Sequence, residues 1–148
     1  MKSIFRCYEV LREFLAKFEW LAPLLARVTI GVVFIESGWG KLHNLERVTG
    51  FFQSLGIPAP EFQAPFVAAT EFIAGIMILV GLATRLASIP LLVTMVVAII
   101  TAKKGDLHGW TDVFAISEFL FIVLFVWLIL AGPGRVSLDE QIRKKIPR

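Results

Sequence analysis

The chain has 148 residues, of which 57% are hydrophobic and 18% charged, with a formal net charge of +3. That balance leaves too little polar surface to cover a soluble domain of this size, and it places the chain among integral membrane proteins. The basic residues flank apolar segments, which excludes a nucleic-acid groove, and the single cysteine, Cys7, excludes an internal disulfide or a C-x-x-C redox pair.

Residues 1–19 carry a helical stripe, Ile4, Tyr8, Leu11, Leu15 and Phe18, with Lys2, Arg6, Glu9, Glu13 and Lys17 mostly off it. This predicts an amphipathic helix lying on the membrane or packed on the rest of the protein. Glu9, Glu13 and Glu19 interrupt the apolar core that a secretory signal needs. Four apolar segments follow, at 20–42, 64–84, 86–102 and 113–132. Each is near the roughly 20 residues that cross a hydrocarbon core of about 30 Å. The expected architecture is all-α: an amphipathic interfacial helix (1–19), a four-transmembrane-helix bundle (20–132) and a basic cytoplasmic tail (133–148).

The even number of spans puts both termini on one side. Lys2, Arg6, Arg12, Lys17, Arg85 and the arginines and lysines of the tail fall there, against Lys41, Arg47, Lys103 and Lys104 on the other. The positive-inside rule then makes the termini cytoplasmic, in an inner membrane. The turn at 81–85 is tight, whereas the outer loops, 43–63 and 103–112, are long.

Four charges interrupt the spans: Arg27, Glu36, Glu71 and Glu118. Such charges are rare, because the bilayer centre disfavours each by about 3 kcal/mol. Arg27 reads as a residue snorkelling to the inner headgroups or lining a polar path. Counted from the outer ends of their spans, the three glutamates lie about five to seven residues deep, or roughly 9 Å. Three acids from three helices at one level predict a buried carboxylate cluster in the outer third of the bundle. Glu36, Gly40 and His43 share one helical face, and Glu71 shares a face with Gly75. No Glu-x-x-His spacing is present, and no metal site is expected. His108 reads as a loop residue.

Arg27 ahead of an apolar run, followed by Ser37-Gly38-Trp39-Gly40-Lys41-Leu42, resembles the first-span signature of the DoxX family of small four-span membrane proteins. Glu71-Phe72-Ile73-Ala74-Gly75 and Leu79-Val80-Gly81-Leu82-Ala83-Thr84-Arg85 in the second span are similar to its most recognisable stretch. The resemblance covers residues 22–132 and marks Arg27, Gly38, Lys41, Glu71, Gly75, Gly81 and Arg85 as motif positions. It implies a four-helix bundle in the cytoplasmic membrane. It also implies a redox setting, since relatives include a subunit associated with thiosulfate:quinone oxidoreductase and membrane partners in oxidative-stress and thiol complexes; more distant relatives serve as cargo receptors. With Cys7 as the only cysteine, thiol chemistry would need a partner protein.

The leading expectation is a membrane component of a quinone-linked or redox-stress oxidoreductase system, at most a subunit of the enzyme. Its ligand residues would be Glu36, Gly40, Lys41, His43, Glu71 and Glu118, with Glu36, Glu71 or Glu118 exchanging a proton with a quinone headgroup. The alternative is a non-catalytic scaffold or interaction subunit, and a third is a small transporter or proton pathway. The expected partners are the lipid bilayer and a protein, either foreign or a second copy, with no nucleic acid.

Overall fold

The computed structural model describes residues 2–105, 107 and 109–145, without the side chains of residues 2–5 and Cys7; His108 lies outside the described residues. All its regular elements are helical: α1 (Lys2–Ala16), α2 (Leu21–Leu42), α3 (Leu45–Ser54), α4 (Pro60–Val80), α5 (Thr84–Thr101), α6 (Ser117–Ala131) and α7 (Leu138–Lys145). A short 3-10 turn, Asp112–Ala115, precedes α6.

The expectation of four span-length helices is corrected to three. Helices α2, α4 and α5 have 22, 21 and 18 residues and are apolar enough to cross a membrane. The segment expected to form the fourth span yields α6, an apolar helix of 15 residues. At 1.5 Å per residue it is about 22 Å long, short of the hydrocarbon thickness. The cause is local: the 3-10 turn takes the start of the segment, and Ile116 is extended (φ −88°, ψ 142°), so α-helical hydrogen bonding begins only at Ser117.

Helix α2 packs mainly along α4, and α6 along α5, with α4 and α5 joining the two pairs. Lipid tails are as apolar as leucine side chains, so close van der Waals packing, and not the hydrophobic effect, has to hold such helices together. Small residues supply it. A Cβ on Gly38 would lie 2.8 Å from the Cα of Phe72 and 2.9 Å from the carbonyl oxygen of Ala68. One on Gly75 would lie 2.9 Å from the backbone nitrogen of Ile35. The α2 and α4 backbones touch at both levels, with Ala64 and Ala68 continuing the seam, fully buried.

Ile30, Phe34, Ile78, Leu91, Phe125 and Leu128 form the buried centre. The Phe34 ring meets Phe121 and Phe125 edge-on, each at a centroid distance of 5.3 Å. This aromatic layer is where α2 touches α6. Toward the α3 end the two helix pairs part and leave a groove of about 1290 Å³.

The opposite end is closed by the C-terminal segment. Gly81 ends α4 in the left-handed region (φ 76°), and Ala83 (φ 46°) starts α5. The Asp139 carboxylate accepts hydrogen bonds from the backbone N–H groups of Ala83 (2.7 Å) and Thr84 (3.0 Å), which satisfies donors that a helix start leaves unpaired. The Asp139 N–H donates to the Gly81 carbonyl at 2.9 Å.

Candidate functional site

Ser37 and Lys41 lie one turn apart on α2 and face α4, while Gly38 between them lets the α4 backbone come within contact. That approach brings Glu71, the neighbour of Phe72, directly against α2. Lys41 Nζ lies 2.5 Å from Oε1 and from Oε2 of Glu71, and Ser37 Oγ donates to Oε2 at 2.8 Å. Helical side chains lean toward the N-terminus of their helix, so the lysine reaches back along α2 to the Ser37 level. Glu71 is 1% exposed and Lys41 31%. A carboxylate at this depth is tolerated because its charge is matched and its oxygens are hydrogen-bonded.

The Lys41–Glu71 pair forms part of the groove wall. Glu36 and Gly40 of α2 border the same space, as do Arg47 of α3, Lys103 after α5, and Glu118 of α6. Phe51, Phe52, Leu55, Val93, Val97 and Phe121 give it an apolar surface. A Cβ at Gly40 would meet nothing within 4 Å, so this glycine is not a packing contact.

The buried cluster of three carboxylates does not form. Glu71 alone is buried. Glu36 is exposed and makes no side-chain hydrogen bond or ion pair among the described residues. Glu118 is half-buried, 4.0 Å from Lys103 Nζ, and accepts a hydrogen bond from Ser117 Oγ at 3.1 Å. Two physical reasons account for this. The late start of α6 makes Glu118 its second residue, in the first turn, where the helix dipole favours an acid without deep burial. The separation of α2 from α6 beyond the Phe34 layer leaves Glu36 on a groove wall. His43 is also placed apart: its ring lies 4.1 Å from that of Trp39, with Nδ1 2.9 Å from the Trp39 carbonyl oxygen, and it does not line the groove.

Of the remaining motif positions, Gly38 and Gly75 make the α2–α4 seam, while Arg27, Gly81 and Arg85 lie at the α7 end. Arg27 does not snorkel. Its side chain is buried, with Nη2 donating to the Val136 carbonyl and the guanidinium against Gly81. Arg85 is exposed and donates to the Leu130 carbonyl at 3.3 Å. Among the described residues, no group of three or more His, Cys, Asp or Glu side chains could hold a metal ion.

Residues 22–104 match the DoxX family, and so include Lys41, Glu71 and the glycines between the two helices. The chain belongs to the DoxX family. Like other DoxX proteins it is a multi-pass membrane protein, and its matched region takes in all of the three span-length helices but Leu21. It is 35% identical over 130 residues to an uncharacterized membrane protein of Mycobacterium tuberculosis, covering 80% of each chain. It is 33% identical over 125 residues to "Putative oxidoreductase CatD" of Bacillus subtilis, covering 84% of this chain and 89% of that one. It is 29% identical over 132 residues to the inner membrane protein YqjF of Escherichia coli, covering 87% and 98%. No solved structure matches.

The sequence reading named both Lys41 and Glu71 as ligand residues but did not pair them. The available signal was Gly38, a small residue next to Ser37 and one turn before Lys41, which marks the level where a neighbouring helix comes close.

Proposed function

We propose that this DoxX protein is the membrane component of a redox system and that its groove holds a polar-headed, apolar-bodied molecule of the quinone class. The observation that carries the reading is the Lys41–Glu71 pair with Ser37, set in the wall of an otherwise largely apolar groove. Lys41 and Ser37 can donate hydrogen bonds to a ring carbonyl, and Glu71 can take or return a proton. The apolar side chains around them suit a ring and an isoprenoid-like tail. The name of the Bacillus subtilis relative, an oxidoreductase, supports a redox setting.

In this reading α6 and the 3-10 turn before it complete a fourth crossing, so both termini lie on the cytoplasmic side of an inner membrane. The charge asymmetry supports that orientation. The test is binding of a short-chain quinone to the purified protein, measured by equilibrium dialysis. Lys41→Met with Glu71→Gln is expected to weaken binding at least about tenfold, the effect of losing charged hydrogen bonds. Undiminished binding in that double variant would remove the reading.

A second reading, a non-catalytic interaction subunit, is favoured by α1. Tyr8, Leu11, Phe14 and Leu15 are exposed along it, with Phe18 just beyond its end, and form an apolar face suited to a membrane surface or a partner. Leu11→Glu with Leu15→Glu should release a co-purifying enzyme, whereas Glu71→Gln should not. Unchanged co-purification in the α1 variant would count against this reading.

A further inference from the structure

We propose that the α7 end of the bundle carries a second site, for the phosphate headgroup of an anionic glycerophospholipid, with Arg85 and Arg135 as its ligands. A cavity of about 700 Å³ lies between the start of α5, the end of α6 and the C-terminal segment, and Arg85, Arg135 and Arg143 line it together with Asp139 and Glu140. The two acids are already engaged. Asp139 accepts the Ala83 and Thr84 N–H groups. Glu140 pairs with Arg143 at 2.7 Å and Lys144 at 3.9 Å. Arg85 has one hydrogen bond, a long one to the neutral Leu130 carbonyl, and Arg135 has no side-chain hydrogen bond or ion pair among the described residues. Two guanidinium groups without a carboxylate partner thus face one cavity. A phosphate accepts paired hydrogen bonds from guanidinium groups in matching geometry.

The backbone is shaped around these groups. Gly132 (φ 86°) ends α6, and a Cβ there would lie 3.2 Å from Arg85 Nη2, so the glycine admits the guanidinium. Gly134 (φ 81°) turns the chain against Pro23, immediately before Arg135. The surroundings favour a lipid over a free anion. Leu86, which lines the cavity, is 69% exposed, and Leu130, whose carbonyl holds Arg85, is 73% exposed. An acyl chain would run along these leucines while its headgroup meets the arginines, as basic pockets at helix ends hold anionic headgroups.

The test is native mass spectrometry of the full chain released from micelles doped with phosphatidylglycerol or phosphatidylcholine. The wild type should retain phosphatidylglycerol in preference. Retention should fall about fivefold for each arginine removed, in Arg85→Gln and in Arg135→Gln, and stay unchanged in Lys104→Gln at the other end. Should Arg85→Gln fail to fold, Arg135→Gln alone carries the test, because Arg135 is exposed and makes no structural contact of this kind. Equal retention of both lipids, or wild-type retention in Arg135→Gln, overturns the site. Stripping of the lipid by millimolar inorganic phosphate overturns the lipid assignment, because a free anion would then be the ligand.

Discussion

Lys41 Nζ sits 2.5 Å from both carboxylate oxygens of Glu71, joining the end of the first long helix to the middle of the second. The two residues are not equally placed: the acid is buried and the base reaches the groove. Removing either should therefore have unequal consequences. Lys41→Met leaves a buried carboxylate unmatched and is expected to destabilise the protein by about 3 kcal/mol. Glu71→Gln leaves an amide that still accepts from Ser37 and frees a lysine that can turn to the groove, so its loss should be nearer about 1 kcal/mol. Lys41→Met with Glu71→Met should recover most of the lysine variant's loss. Thermal unfolding in detergent, arranged as a double-mutant cycle, measures all three, and equal losses in the two single variants would contradict the asymmetry.

The two glycines of the Ser37–Lys41 stretch should respond differently to the same change. Gly38→Ala drives a methyl into the Phe72 backbone and should cost about 2 kcal/mol, the usual scale of overpacking. Gly40→Ala faces open space and should leave the melting temperature unchanged or slightly raised. Gly40→Leu should narrow the groove and weaken ligand binding without a matching loss of stability. Melting curves and ligand titration of the three variants together decide this.

Asp139 is expected to act as the clasp of the C-terminal segment. Asp139→Ala removes two cap bonds to the start of α5 and should cost about 1–2 kcal/mol. Faster amide hydrogen exchange should appear at residues 81–84 and 136–139, with no change at Lys41 or Glu71. Exchange confined to the C-terminal residues would show that α5 is capped by something else.

Glu118→Gln should barely alter stability. Its lysine contact is 4.0 Å long and partly exposed, so the loss should stay under about 1 kcal/mol. A loss comparable with that of Lys41→Met would mean that Glu118 is held far more tightly than its position in the first turn of α6 implies. Measuring it beside Glu71→Gln ranks the two acids directly.

Helical periodicity and segment length were sufficient to find α1 and the three span-length helices, because both follow from rise per residue and side-chain chemistry. They placed the second span four residues late, at 64–84 against Pro60–Val80, and overran at residues 113–116. Hydropathy there is continuous with α6, but the backbone is 3-10 and then extended, and composition carries no sign of that change. The charges show the same division. Depth along a helix can be counted, so one level is expected for Glu36, Glu71 and Glu118, whereas the direction each one faces depends on how the helices rotate and splay.

The amino-acid sequence by itself determined the membrane class, the all-α architecture and the family, since these rest on composition and local spacing. Only the tertiary structure decided which charge meets which. Gly38 brings α4 against α2 and hands Glu71 to Lys41 and Ser37, Phe34 limits the contact of α2 with α6 and leaves Glu36 on a groove wall, and the folded-back C-terminal segment buries Arg27. Those outcomes depend on distances between residues far apart in the chain, and close packing of two backbones sets such distances.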